Sequence, residues 1–150
     1  MPKAVITKEI VRDAARKLRL SIREARSLLT QAARSGQLIR EASDRRVEID
    51  PTAIDWLANS MTGLAPLKRP TAARRYVLLL AWGSAIENGR ALGFREGQVT
   101  ATFLNTLAFR DGKSPCRATL FNWRRSFYRT GQVASLADRR GQKTCGANDG

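Results

Sequence analysis

Hydrophobic residues in the first part of the chain recur with the period of an α-helix. They do so from Ile10 to Leu18 and again from Ile22 to Ala32. Such spacing gives each stretch one apolar face. With Thr7 as a candidate N-cap, the pattern predicts a first helix that ends near Leu18 and a second helix that packs against it.

The second helix has clear boundary signals and a polar outer face. Ser21 and Glu24 have the spacing of a capping box after a turn at Leu20, and Gly36 ends the helix. The face opposite the apolar residues carries Arg23, Arg26, Ser27, Thr30 and Arg34. Guanidinium and hydroxyl groups on one helix face suit the major groove of DNA, so these five are candidate DNA contacts.

After this helix pair, hydrophobic and polar residues alternate with a period of two. Leu38-Ile39 and Val47–Ile49 are predicted as two short strands joined by a polar turn that contains Arg45 and Arg46. A hairpin at this place resembles the wing of a winged helix-turn-helix, and the two arginines are candidate contacts to the DNA backbone or minor groove. Asp50-Pro51 then begins another short helix.

Small residues, Gly and two prolines interrupt every periodic pattern in residues 59–70, which we interpret as a linker. The predicted fold is therefore mostly α, with two small helix-turn-helix modules. The first is a winged module in residues 1–58, and the second is a helical module in residues 71–141. Residues 142–150 are polar and contain Gly, which predicts a flexible tail.

The second half begins with a strongly apolar stretch that Thr71 is expected to cap. Gly93 interrupts it, and a second periodic stretch ends near Asp111-Gly112. A third helix follows, with Leu120, Trp123 and Phe127 on its inner face. Its other positions supply further candidate DNA contacts, namely Arg117, Ala118, Thr119, Phe121, Asn122, Arg124, Arg125 and Arg129, followed by Arg139 and Arg140 beyond the helix.

Charge and composition limit the range of possible functions. Lys and Arg exceed Asp and Glu by 14, and both halves are basic, so a polyanion is the expected partner. The absence of His excludes catalysis and zinc sites that use it. Cys116 and Cys145 lack CxxC spacing, and free thiols in a reducing cytoplasm are expected. No apolar run is long enough to span a membrane, which favours double-stranded DNA over a lipid surface as the partner.

Residues 117–131, with the sequence RATLFNWRRSFYRTG, and residues 136–141, with the sequence LADRRG, resemble the helix-turn-helix segment ahead of the catalytic core in transposases and integrases of the phage Mu type. The similarity covers about residues 114–141, and Cys116 stands where the family usually has Ser. It implies recognition of transposon or phage ends in DNA transposition, recombination and integration.

The family's strand-transfer chemistry belongs to an RNase H-like domain in which three carboxylates hold two metal ions. Beyond Gly141 the only acidic residue is Asp149, so we expect no catalytic residue, metal or cofactor here. The chain is then a DNA-binding region and not itself an enzyme, and multimers on DNA would form through a catalytic region elsewhere.

Other interpretations stay open at this point. The basic helices could be plain solvated surfaces, and the basic charge alone would permit RNA binding, although no RNP or GXXG signature is seen. A free-standing phage or plasmid regulator that binds an operator is the main alternative function. Trp56, Trp82 and Trp123 could stack on bases, but each lies among aliphatic residues at helical spacing, which favours core packing.

Within the DNA-binding interpretation, the outward face of the third helix divides into two roles. Asn122 and Arg125 are predicted to read bases, because Asn pairs bidentately with adenine and Arg with guanine. Phosphate contacts are predicted for Arg117, Arg124, Arg139 and Arg140.

Overall fold

A computed structural model describes residues 4–42 and 44–137. The described part is mostly helical, with one two-stranded antiparallel sheet, as the sequence predicts. In chain order the elements are α1 (Lys8–Leu18), α2 (Ile22–Arg34), β1 (Ile39–Glu41), β2 (Val47–Ile49), α3 (Pro51–Ser60), a 3-10 turn (Pro66–Lys68), α4 (Arg69–Ala91), α5 (Glu96–Asp111), α6 (Arg117–Thr130) and a final 3-10 turn (Val133–Ala137).

Both predicted caps of the first helix pair are confirmed. The Thr7 side chain accepts a hydrogen bond from the Ile10 backbone N–H at 3.2 Å. Ser21 and Glu24 form the reciprocal capping box, with bonds of 3.1 and 3.0 Å. One correction concerns Ile22, which is 48% exposed and not inward, because it occupies the first turn of α2 ahead of the buried stripe.

The predicted hairpin is also confirmed. β1 and β2 pair antiparallel with Ile39 opposite Ile49, and the first strand begins one residue later than predicted. Arg40 Nε donates to Glu48 Oε1 at 2.8 Å across the pair. The hairpin is anchored beside α3, because the backbone N–H of Asp50 donates to the Leu38 carbonyl at 2.8 Å.

Helix α3 begins as predicted. Asp50 accepts a hydrogen bond from the Thr52 N–H at 3.0 Å, and Pro51 occupies the first helical position. Trp56 departs from the prediction of core packing. It is 42% exposed, and its ring packs at the edge of the core against Tyr76, at 5.3 Å between centroids, and Phe127, at 6.4 Å. Packing of α4 and α6 beside α3 creates this aromatic cluster.

The segment predicted as a linker packs closely against both halves. Met61 is fully buried, and the Ser60 hydroxyl accepts a hydrogen bond from the Val133 N–H at 2.7 Å. Arg69 is only 4% exposed and donates to the carbonyls of Leu64 and Leu18 at 3.1 and 3.2 Å. Loss of hydration, reinforced by nearby positive charge on Arg19, lowers the pKa of Arg69.

One buried cluster extends from α1, α2 and α3 into α4 and the final 3-10 turn. It contains Leu29 and Leu57 from the first half and Val77 and Leu136 from the second. The division into modules at residues 59–70 stays a prediction about independent folding. The shared core leads us to expect a single folding unit instead.

The helices of the second half are placed mainly by packing. The predicted Thr71 cap is wrong: α4 begins at Arg69, and Lys68 at its N-cap makes no side-chain capping bond. Buried Trp82 donates its indole N–H to Thr100 Oγ1 of α5 at 3.0 Å. At the other end of α4, Gly89 lies so close to Val99 that a Cβ atom would collide with its side chain.

Candidate nucleic-acid interface

Helix α2 presents the predicted polar face to solvent. Its opposite side buries Ala25, Leu28, Leu29 and Ala32, each at most 4% exposed. The residues predicted to contact DNA are all exposed, namely Arg23, Arg26, Ser27, Thr30 and Arg34. The apolar stripe therefore fixes the helix against the core and leaves one long polar face outward.

The hairpin places its two arginines at the turn. Arg45 has a left-handed backbone conformation, with φ of 68°, and its N–H donates to the Ala42 carbonyl at 3.0 Å. Arg46 forms an ion pair with Asp44. Burial raises the pKa of Asp44, but the Arg46 N–H and guanidinium outweigh it and lower the pKa overall. Both arginine side chains are exposed.

Helix α6 also exposes much of its predicted outer face. Arg117, Ala118, Arg125 and Arg129 are exposed, while Asn122 is half-buried. A shallow depression of about 530 Å³ runs along this face and is lined by Cys116, Arg117, Ala118, Phe121, Asn122 and Arg125. As predicted, Leu120 is buried on the inner side.

Arg124 and Phe121, both predicted DNA contacts on α6, contact side chains of other helices. Arg124 Nη1 lies 2.9 Å from Glu96 Oε1, and its guanidinium sits 4.3 Å from the centre of the Trp82 ring. Phe121 meets the same indole edge-on at 5.0 Å. Their DNA roles stay predictions, but this geometry already gives Arg124 and Phe121 a structural role in joining α6 to α4 and α5.

Beside α2 lies an open cleft of about 1030 Å³, which we call the basic cleft. The outer face of α2, the first half of α4, the end of α5, the loop after α5 and α6 all line it. Among the described residues, its cationic side chains are Arg34, Arg74, Arg75, Arg110 and Lys113, and its single carboxylate is Asp111. The uncharged polar residues include Ser27, Thr30 and Thr119.

The cleft brings together residues that the sequence assigned to separate modules. Thr30 and Thr119, both predicted DNA contacts, line the same cleft. Sequence reasoning missed Arg74, Arg110 and Lys113 as site residues. Excess positive charge was the only signal for them, and their proximity to α2 depends on the packing of α4 against it.

Internal contacts hold the wall of the cleft in place. Arg75 Nη1 donates to the Leu136 carbonyl at 2.6 Å, and its guanidinium lies 4.8 Å from the centre of the Trp123 ring. Trp123 packs against the core from its half-buried position. These contacts tie α4, α6 and the final 3-10 turn together along one side of the cleft.

The expectation of free thiols is wrong for Cys116, which is disulfide-bonded. Its Sγ lies 3.3 Å from Thr119 Oγ1, so the Thr119 hydroxyl is the donor of that contact. Three positions named in the predictions, Arg139, Arg140 and Cys145, lie outside the described residues.

The described residues contain neither a metal-binding cluster nor a membrane-spanning helix. Among residues 4–42 and 44–137, no three His, Cys, Asp or Glu side chains are grouped so that they could hold a metal ion. None of the helices in those ranges has the length and apolar character needed to cross a bilayer.

Comparison of the chain with known protein families, curated proteins and solved structures finds no match.

Proposed function

We propose that this protein binds duplex DNA with sequence specificity and that α2 is its reading helix. The observation that carries the proposal is the exposed polar face of α2, which lies directly opposite a fully packed apolar stripe. Arg23 and Arg26 lie in the first turns of the helix, where recognition helices contact base edges. An Arg side chain there offers the bidentate geometry that guanine accepts.

The hairpin supplies a second contact. Arg45 and Arg46 lie at its turn, in the segment that directly follows α2 in the chain. In winged helix-turn-helix proteins such a turn follows the DNA beside the recognition helix. We propose that these two arginines bind the backbone or the minor groove and fix the register of α2 without reading sequence themselves.

Salt dependence tests duplex binding directly. Each phosphate that a basic side chain neutralises releases condensed counterions. For about six or more contacts, affinity should fall by a factor of about a thousand or more between about 50 and 200 mM salt. Fluorescence anisotropy with a labelled duplex measures this slope. A flat response, or the absence of binding at low salt, would contradict the proposal.

The narrower proposal is recognition of transposon ends by the DNA-binding region of a Mu-type transposase, acting in the cytoplasm of a bacterium or phage-infected host. It rests on the resemblance of residues 114–141 to that family. Footprinting on the ends of the element that encodes the chain should show protection at specific sites. Protection of an operator near its own gene, with none at the ends, would favour a free-standing regulator instead.

A further inference from the structure

We infer that the basic cleft binds the sugar-phosphate backbone of the same duplex that α2 reads, so that both halves of the chain contact one DNA site. This inference rests on the proposed function and deepens it. It assigns phosphate contacts to Arg34, Arg74, Arg110 and Lys113.

The position of the cleft along α2 supports this division of roles. Ser27, Thr30 and Arg34 line the cleft, whereas Arg23 and Arg26, in the earlier turns of the helix, do not. A recognition helix contacts base edges mainly through its N-terminal residues. Its C-terminal part then lies nearer the backbone, and this is the part that α4 and the loop after α5 flank.

The charge of the cleft matches a polyanion. In the part of the chain that the structure describes, five cations and one carboxylate line the cleft. The carboxylate is that of Asp111, whose Oδ1 already lies 3.4 Å from Arg110 Nε. Like charges gathered in one place repel each other and lower the stability of the unbound protein. Arg, Lys and hydroxyl side chains together are the usual ligands of phosphate oxygens in protein–DNA complexes.

Part of this charge lacks an explanation from helix stability. Arg34 and Arg110 lie in the last turns of α2 and α5, where cations interact favourably with the helix dipole. Arg74 instead lies in the N-terminal half of α4, whose first turn carries no acidic residue. Positive charge gains nothing from the dipole at that end, which favours a ligand as the reason for Arg74. Its neighbour Arg75 is accounted for by its contacts with Leu136 and Trp123.

The lining of the cleft suits a polymer. Its volume of about 1030 Å³ lies at the upper end of the range of about 300 to 1,000 Å³ typical of small-ligand pockets. Its lining residues come from α2, α4, α5, the loop after α5 and α6. A segment of DNA strand passing over α4 and α6 fits these features.

The test measures the slope of the logarithm of duplex affinity against the logarithm of salt concentration. It compares three single variants, Arg34→Gln, Arg74→Gln and Lys113→Gln, and the triple variant. Removing one phosphate contact should reduce the slope by about 1 and weaken cognate and random duplexes alike, so the triple variant should lose about 3. Arg90→Gln is the matched control, because Arg90 is exposed near the end of α4 and lines a different pocket. Its slope should equal that of the wild type.

The outcomes distinguish failure of the cleft assignment from failure of the proposed duplex binding. If the wild type binds duplex DNA steeply but Arg74→Gln and Lys113→Gln behave like Arg90→Gln, the cleft lies outside the interface and the proposed function stands. If the wild type does not bind duplex DNA, both fail. If the cleft variants lose slope only on structured RNA, duplex DNA is the wrong occupant. The variants Arg74→Lys and Lys113→Arg preserve the positive charge and should retain the wild-type slope. Loss of slope in these variants as well would contradict phosphate binding through charge.

Discussion

The two halves of the molecule reach their structures by different routes. In residues 8–60, α1, α2 and α3 each begin at a side chain that caps the helix, and α1 and α2 each bury an apolar stripe. In residues 69–130, α4 and α6 begin without a side-chain capping bond. Helix α5 has a local bond at its start, from the Arg95 N–H to Gln98 Oε1 at 3.0 Å, but it buries only Thr100 and Leu107. Local sequence therefore specifies the first half more fully than the second, where contacts between helices carry more of the specification.

This difference bears on function. Because α2 is held by aliphatic packing, its whole polar face is available to solvent. On α6, part of the basic and aromatic surface is used to join helices, as Arg124 and Phe121 show. We therefore expect the first half to read DNA sequence and the second half to contribute a larger share of backbone contacts.

The largest expected effect tests whether the halves share one core. Leu57→Ala should lower the free energy of unfolding by about 2 to 5 kcal/mol, the usual cost of a cavity in a packed core. Because Leu57 lies in the same cluster as Val77 and Leu136, probes in both halves should lose structure in one transition. Leu67→Ala is the control, because Leu67 is 94% exposed. Two separate transitions, with the second half unaffected, would restore the two-module division at residues 59–70.

Two glycines of α4 test the packing of the second half. Gly89→Ala should destabilise the protein by about 1 to 3 kcal/mol, because the new methyl group would collide with Val99. Gly83→Ala should stabilise it by about 0.5 to 1 kcal/mol, because Gly83 is exposed with open space around it and Ala is the better helix former. Urea unfolding measures both. A neutral or stabilising effect of Gly89→Ala would show that close packing against Val99 does not place α5.

Base reading by α6 would narrow the functional difference between the halves. Asn122→Ala or Arg125→Ala should cost about 1 to 3 kcal/mol on a cognate duplex and little on random DNA. Arg139→Ala should weaken both duplexes alike, as expected for a phosphate contact. Competition binding separates the two patterns. Equal losses on cognate and random DNA for Asn122→Ala and Arg125→Ala would remove α6 from the set of reading helices.

The smallest expected effect concerns helix capping. Ser21→Ala removes the acceptor of the Glu24 N–H and should cost about 0.5 to 2 kcal/mol of stability. Lys68→Ala, at the equivalent position of α4, should change stability by no more than about 0.5 kcal/mol, since no capping bond is lost there. Thermal unfolding of the two variants would contradict the comparison if Lys68→Ala were the more damaging.

Sequence reasoning was most successful where the signals are local. The caps at Thr7 and Ser21, the hairpin and the left-handed Gly112 after α5 all follow from short patterns. It failed where distant contacts decide, as in the partial exposure of Trp56 and the start of α4 at Arg69.

The same limit applies to the candidate site. The outer face of α2 is readable from helical periodicity alone. The basic cleft is not, because Arg34, Arg74 and Lys113 are far apart in the chain and become neighbours only when α4 packs on α2. A single sequence gives the number of charges but not which of them share a surface.

The most direct test of the account compares cognate and random duplex affinities for Arg23→Ala and Arg12→Ala. Both side chains are exposed, one in the first turn of α2 and the other on α1. Arg23→Ala should cost about 1 to 3 kcal/mol on the cognate duplex and little on random DNA, whereas Arg12→Ala should leave the ratio of the two affinities at its wild-type value. An unchanged ratio for Arg23→Ala would contradict the assignment of α2 as the helix that reads DNA sequence.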